Sequence, residues 1–428
     1  MGGIDAPQHG CSASLKLGRG LQMMSGEIIE KLPAHVPPNL VIEENPWQSG
    51  PIQPHDWLRQ IIGESGFRYS LYNPLTHTRD EGCWVAAGSK EIRAILIDNR
   101  TFVSKDSTGV GKLLGEDLVL APLESDAPDH RRLRGIIQPF FLPEAVKARE
   151  ARIRELSLEF IQEIARKNGC EFIQDFAVKL PTQIFMEIMG LPVADLTMLL
   201  EWEDIAMGRK SPDQMAETWA SIRAYLEDAI VQRRTAPRDD LLTRVLQGTA
   251  ETGDNPEAEA LGMAMILFAA GLDTVVTALG WHFKFLAEHP DEQERLRQDP
   301  SLIPAAVDEM LRAFSFTTLT RTASRDVEIS GVMIKAGDKV VCPVALGSRD
   351  ARDYTDPVEV DFDRGARRHL AFGFGQHICI GMHLARLELI TALRCWLANV
   401  PPFSLPPGYQ APWHGGVSLG LDALELRW

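Results

Sequence analysis

A glycine-punctuated loop with a single cysteine constrains this chain more than any other stretch of its sequence. The loop runs from Phe372 to Gly381, with the sequence FGFGQHICIG, and continues directly into a helical pattern. Its glycines permit backbone conformations that other residues reach only at a cost, and they let a ligand or another chain segment approach the backbone closely. Cys379 lies just before the helix, where the outward amides and the positive end of the helix dipole favour a thiolate over a thiol.

A thiolate held in this way suits a metal centre. With amides aimed at its sulfur and a planar apolar partner above it, Cys379 is a candidate axial ligand for a haem iron. The alternative is a buried structural cysteine in a glycine-rich turn. The six cysteines of the chain show no C-x-x-C spacing, so neither a disulfide framework nor a zinc site is indicated.

The loop fits the pattern F-G-x-G-x-H-x-C-x-G at every fixed position, so the chain resembles a cytochrome P450 of the bacterial, camphor-hydroxylating type. The resemblance implies a haem-thiolate monooxygenase that is mainly α, a triangular helical prism with a small β-rich subdomain. Haem b would lie between a distal and a proximal helix. Residues 33 to 428 are expected to form this one domain, preceded by a flexible extension over residues 1 to 32.

A second stretch, from Pro256 to Glu288, is predicted to be a helix buried through the core. It is apolar on every side from Leu261 to Leu267, as in helices that are surrounded by protein. Its centre, Ala270 to Thr274, nevertheless reads AGLDT, and Gly, Asp and Thr are poor helix formers. The Thr274 hydroxyl can bond the carbonyl of Ala270 one turn back and bend the helix. The pattern indicates a functional break, the alternative being a satisfied Thr–Asp pair at a kink.

The pentad resembles the A-G-x-D-T groove in which the family binds oxygen. The resemblance implies that Asp273 and Thr274 are catalytic and relay protons there. A buried carboxylate is too costly to stand alone, so Asp273 is also predicted to pair with Arg209 or Lys210 while the pocket is closed. In the alternative, both cations are simply solvated at a helix end.

Further patterns concern the cofactor and the scaffold. His130 and Arg134 lie four positions apart and so share a helix face, which resembles the family's clamp for the haem propionates. An E-x-x-R pattern pairs Glu309 with Arg312, and the resemblance makes Arg364 their structural partner. The residues that the resemblance assigns to the cofactor are His130, Arg134, Gly271, Arg321, Phe372, His377, Cys379 and Gly381.

The substrate pocket is predicted to be mostly apolar. Its candidate lining residues are Leu118, Ile266, Ala269, Ala270, Thr317, Val417 and Ser418. Only two hydroxyls, those of Thr317 and Ser418, offer hydrogen bonds in this set. Such a pocket fits a compact terpenoid or norisoprenoid of roughly ten to thirteen carbons and has no basic group for a fatty acid. For the loop around Leu118, an ordinary surface loop is the alternative.

Electrons must come from outside, since the chain has no flavin or iron–sulfur sequence. The resemblance implies a [2Fe–2S] ferredoxin with an NADH-dependent reductase. A basic patch could receive an acidic ferredoxin; its alternative is a solvated charge cluster. The patch consists of Arg131, Arg132, Arg134, Arg367 and Arg368.

The net charge and the lack of long apolar runs limit the partners and the cellular location that we expect for the protein. A net charge of -15 argues against nucleic acid as a partner. No charged-then-apolar leader is evident, and no apolar run approaches the roughly 20 residues that span a bilayer. We expect a cytoplasmic monomer without membrane contact. Two other functions are a non-catalytic haem-thiolate ligand sensor and a peroxide-using hydroxylase; the Asp–Thr pair argues against both.

Overall fold

The computed structural model describes residues 32–428 except 49, 51, 76, 80–81, 115–117, 207–210 and 366–367. The fold is mainly α with small sheets, as predicted. The α-helices of the described part are Pro54–Ile62, Ser89–Ile97, Val110–Leu114, Asp129–Ile137, Pro143–Lys147, Glu150–Ile164, Lys179–Met189, Leu196–Asp204, Pro212–Thr235, Leu241–Thr252, Pro256–Glu288, Pro290–Gln298, Ile303–Ala313, Val344–Ser348 and Met382–Asn399. The strands are β1 (Val41–Ile42), β2 (Phe67–Ser70), β3 (Cys83–Ala86), β4 (Phe102–Val103), β5 (Gly169–Glu171), β6 (Thr318–Ala323), β7 (Val327–Ile329), β8 (Val332–Ile334), β9 (Lys339–Pro343), β10 (Trp413–His414), β11 (Gly420–Leu421) and β12 (Glu425–Arg427).

The largest sheet has six strands in the order β1-β2-β3-β9-β6-β4. The pairs β1–β2 and β3–β9 are parallel, and the other pairs are antiparallel. A hairpin forms from β7 and β8, and its turn places Ser330 and Gly331 at positive φ. Near the C-terminus, β10 pairs with β11, and β12 pairs back to β5. These small sheets flank the helices.

The central helix, Pro256–Glu288, is 33 residues long and has the predicted bounds. Its proline begins the helix, where the missing amide hydrogen costs nothing. The expectation that no apolar run is long enough for a bilayer is wrong for this helix. One 18-residue window has a mean hydropathy of 1.8, but 72% of that window is buried inside the protein. The helix is apolar because it runs through the core.

The segment that follows the histidine helix Asp129–Ile137 contains two separate helices, Pro143–Lys147 and Glu150–Ile164. Between the two, Arg149 has φ -92° and ψ -7°, a sparsely allowed conformation that interrupts the regular helix. The second piece packs along Met382–Asn399, the helix that follows the cysteine and that we call the cysteine helix. The central helix also contacts the cysteine helix, so the helix that carries one motif packs against the helix that follows the other.

Candidate active site

The loop that carries Cys379 is closed by its own backbone. The Cys379 amide donates to the carbonyl of Phe372 at 2.8 Å. Gly373 and Gly375 have φ of 73° and 75°, the left-handed region that favours glycine. A Cβ on Gly375 would lie 2.5 Å from the carbonyl oxygen of Leu96, so this glycine also permits a close approach to the helix Ser89–Ile97.

The protonation of Cys379 differs from the prediction. Burial raises the pKa of the thiol, and the opposing effects of the Gly381 amide and the charges of Arg134 and Arg386 do not offset it. The expectation that the helix terminus by itself favours the thiolate is therefore wrong, because desolvation outweighs the local dipole. A coordinating metal ion would deprotonate such a thiol outright.

Accessible surface inside the core marks the space between the two motifs. Cys379 lies deep among protein atoms, yet the residue is exposed. On the central helix, Ile266, Ala269 and Thr274 are partly accessible and Ala270 is exposed, although the residues around them are buried. These positions share one helix face. Both elements therefore border internal space large enough to leave their side chains uncovered.

A cluster of nitrogen-bearing side chains lies beside the cysteine. The rings of His130 and His377 are 4.1 Å apart. Gln376 contacts His130 Nδ1 at 2.7 Å, and Ser104 Oγ contacts His377 Nε2 at 3.0 Å. Burial, reinforced by neighbouring arginine charges, lowers the pKa of His130 to about 4 and that of His377 to about 2. Both imidazoles are neutral at pH 7.

Two arginines, the half-buried Arg134 and the buried Arg321, complete the cluster, and neither has a carboxylate partner in the part of the chain that the structure describes. Arg321 is 4% exposed and donates to the carbonyl of Thr320 at 2.7 Å. Burial lowers the pKa of both Arg134 and Arg321. Among the described residues, neither forms an ion pair with a carboxylate within 4.0 Å. Because a buried guanidinium is costly without an anion, the donor set fits an anionic ligand, as the two propionates of haem are.

The comparisons with known proteins point the same way. Residues 191–404 match the family model described as Cytochrome P450. The probable cytochrome P450 127A1 of Sinorhizobium fredii is 35% identical over 361 residues, covering 84% of this chain and 86% of that protein.

The chain belongs to the cytochrome P450 family.

Solved P450 structures agree with the fold as a whole. CYP101J2 has a TM-score of 0.82 and 31% identity and covers 93% of this chain and 100% of its own. CYP101C1 has a TM-score of 0.81 and 30% identity, covering 93% and 99%. The chain is thus a haem-thiolate monooxygenase, and the cofactor of this family is haem b.

The predicted oxygen-groove residues, Asp273 and Thr274, differ in their surroundings on the central helix. The Thr274 hydroxyl donates to the Ala270 carbonyl at 3.1 Å, the bond anticipated from the sequence. Asp273 is 6% exposed and accepts a hydrogen bond from Thr277 at 3.4 Å. Sequence reasoning missed Thr277, although its spacing of four from Asp273 was a signal. The predicted partners of Asp273, Arg209 and Lys210, lie outside the described residues.

Two of the predicted cofactor residues, Gly271 and Phe372, also take part in local packing. A Cβ on Gly271 would collide with the ring of Phe185, so this glycine admits a neighbouring helix. Phe372 is covered by Arg386, whose guanidinium lies 4.5 Å from the ring centre and pairs with Asp308 at 2.7 Å. Arg386 is a second residue that sequence reasoning missed. Its position one turn into the cysteine helix was the only signal.

The predicted pocket residues fall into three groups. Ile266, Ala269 and Ala270 follow the accessible face of the central helix described above. Thr317 and Ser418 form a β-bridge, beside which Thr318 donates to the Val417 carbonyl at 2.8 Å. The third group is the loop at Leu118, which is 9% exposed and belongs to the core cluster. A Cβ on Gly262 would collide with the neighbouring carbonyl of Val119, so this loop packs directly on the central helix.

The basic patch is smaller than predicted. Arg132 forms ion pairs with Glu259 at 2.7 Å and Asp129 at 3.2 Å, which neutralise its charge. Arg134 points into the cofactor cluster instead of the surface, and Arg367 lies outside the described residues. Arg131 and Arg368 are the exposed members that remain.

Proposed function

We propose that this P450 hydroxylates a compact, mostly hydrocarbon small molecule of the terpenoid or norisoprenoid class. The observation that carries the proposal is the Ser418 hydroxyl, whose oxygen is buried and has no hydrogen-bond partner among the described residues. It lies across the β-bridge from Thr317. A buried hydroxyl without a partner is costly, and a substrate carbonyl or hydroxyl would satisfy it. Apart from Thr317, the remaining candidate lining residues are apolar, so the shape of the pocket would orient the rest of the substrate.

Cofactor binding follows from the donor set. We propose that Cys379 ligates the iron and that His130, Arg134, Arg321 and His377 hold the propionates. Phe372, Gly271 and Gly381 would border the ring. When bound, a thiolate-ligated haem supplies the activation of O2 that hydroxylation requires.

The chain's own task in that chemistry is to provide protons. The Thr274 hydroxyl proton is committed to the Ala270 carbonyl, which leaves its oxygen lone pairs free to accept and hold a hydrogen bond in the cavity. Asp273, one residue earlier, is held by Thr277 and would carry protons toward that oxygen.

Two electrons would come from a [2Fe–2S] ferredoxin and its NADH-dependent reductase. The exposed Arg131 and Arg368 support the approach of an acidic carrier to a protein whose net charge is -15. We further propose that residues 33 to 428 act as one domain after a flexible extension, and that the protein works as a cytoplasmic monomer.

A ligand panel tests the substrate class. Purified protein is titrated with monoterpenoids, norisoprenoid ketones and long-chain carboxylates, and the shift of the haem absorption band is recorded. Ligands that shift the band are then incubated with ferredoxin, reductase and NADH, and product is measured. Hydroxylated terpenoid products support the proposal. Turnover of a carboxylate without any response to terpenoids would refute the substrate class, and tight binding without product would favour a sensor.

A further inference from the structure

Asp273 has a polar connection that leads from the central helix toward the surface. Its first member is Thr277, one turn further along, whose hydroxyl donates to Asp273 Oδ2 at 3.4 Å. Asp273 and Thr277 are 6% and 4% exposed, so neither can exchange protons with solvent by itself. The role of Asp273 as a proton carrier rests on the function proposed above.

The second member is reached across a glycine of strand β11. A Cβ on Gly420 would lie 3.3 Å from Thr277 Oγ1 and 2.5 Å from His414 Nε2. The two polar atoms therefore approach the same backbone position and are separated by no more than the sum of those distances. Thr277 and His414 form no direct hydrogen bond with each other, but a separation of this size can be spanned by one bridging water molecule. Any side chain at position 420 would occupy this space.

The outer end is a histidine–aspartate pair near the surface. His414 Nδ1 lies 2.6 Å from Asp422 Oδ1, and the two side chains are 16% and 47% exposed. An Nδ1–H that donates to a carboxylate leaves Nε2 directed away from it, here toward Gly420 and Thr277. Among the described residues, His77 also faces His414, and the pKa of His77 is lowered by burial and then by the charge of His414.

We propose that Asp422, His414 and Thr277 form a proton-supply path from solvent to Asp273. The imidazolium Nε2–H gives its proton through a bridging water molecule to Thr277 Oγ1, and the hydroxyl's own proton passes to Asp273 Oδ2. Neutral His414 then turns its Nε2 to solvent, takes up a replacement proton there and returns to Asp422. One proton enters and one is delivered, with no transfer of electrons.

Nuclear magnetic resonance of ring-labelled histidine in the ferrous carbon monoxide complex tests the coupling without turnover. The Asp273→Asn variant removes one negative charge near the inner end of the path. We expect the titration midpoint of His414 to fall by about a few tenths of a pH unit, since a nearby anion stabilises the imidazolium. His35, which pairs with Asp338 at 2.7 Å, is the internal reference and should not move. An unchanged His414 midpoint would overturn the path.

Turnover provides the second test. His414→Gln removes the titrating group, and Gly420→Ala keeps every titratable group but puts a methyl between Nε2 and Thr277. With the terpenoid that gives the largest spectral shift, both should lower NADH oxidation several-fold above neutral pH and increase the solvent isotope effect. His35→Gln is the matched control and should behave as wild type. Wild-type pH profiles and isotope effects in both variants would contradict the path. If terpenoids fail altogether, the magnetic resonance result still decides it.

Discussion

Arg364 donates from Nε to Glu309 Oε1 at 2.9 Å across 55 residues of sequence. The same carboxylate receives Arg312 through both of its oxygens, at 2.7 and 2.8 Å. The side chains of Arg312 and Glu309 are 2% and 7% exposed. Arg312 also donates to the carbonyls of Ser348 and Pro357. The cluster thus ties helix Ile303–Ala313 to the irregular segment that leads into the cysteine loop.

Glu309→Ala should lower the free energy of unfolding by about 3–5 kcal/mol, because it leaves Arg312 buried without a carboxylate. Urea unfolding of the haem-loaded protein, followed by circular dichroism, measures this. Arg152→Ala is the matched control, since its pairs with Glu187 and Glu155 are at the surface; its expected loss is about 1 kcal/mol or less. Equal losses in the two variants would contradict a stabilising role for the cluster.

Asp308 should make stability depend on acid pH. Burial opposes its ionisation, but His369 and Arg386 outweigh burial and lower the pKa of Asp308 from 3.8 to about 2. A carboxyl group with a depressed pKa stabilises the fold fully above its ordinary value, and that contribution is lost as pH falls through the folded value. Asp308→Asn should therefore be less stable than wild type at pH 6, and the gap should close as pH falls from 3.8 toward 2. Urea midpoints measured at a series of pH values check this; a gap that stays constant down to pH 2 would exclude it.

Cys379→Ser should abolish the absorption signature of the ferrous carbon monoxide complex, because serine does not give iron a soft anionic ligand at neutral pH. The spectrum of the reduced, CO-treated protein is the measurement. Cys170→Ala, at a buried free cysteine outside the loop, should leave the band in place. A wild-type band in Cys379→Ser would remove this cysteine from the iron.

Arg321→Leu should increase the rate of haem loss by about tenfold or more, because the variant loses a charge-assisted hydrogen bond to the cofactor. Arg321→Lys keeps the charge and should retain part of the effect. Transfer of haem to an excess of apomyoglobin gives the rate of loss for each variant. Identical rates for wild type and Arg321→Leu would mean that the propionates are held elsewhere.

Thr274→Ala should leave haem content and substrate binding near wild type but uncouple turnover, so that NADH is spent on hydrogen peroxide. The reason is the loss of the hydroxyl oxygen that would hold a hydrogen bond in the cavity. Product formed per NADH consumed is the measurement. Ser221→Ala removes a similarly back-bonded hydroxyl, 3.0 Å from the Glu217 carbonyl on an exposed helix, and should not alter coupling. Full coupling in Thr274→Ala would take Thr274 out of the mechanism.

Features that depend on near neighbours could be predicted from the sequence alone. The Thr274 bond to Ala270 and the pairing of Glu309 with Arg312 each follow from a spacing of one helical turn or less. The bounds of the central helix follow from its own residues, beginning with Pro256. The cysteine loop could also be predicted, because the positive φ angles of Gly373 and Gly375 are a local requirement of its turn. At such distances the helix period and the allowed backbone angles leave few alternatives.

Tertiary structure decided whatever depends on which elements meet and how much water they exclude. Glu259 reaches Arg132 from the central helix and removes it from the basic patch, and Asp308 brings Arg386 over Phe372. No spacing predicts His414 near Thr277, since the approach requires packing of strand β11 on the central helix. The thiol of Cys379 shows the same limit. The dipole of the helix that follows Cys379 can be predicted from the sequence. The desolvation that raises the pKa of the thiol depends on the whole fold.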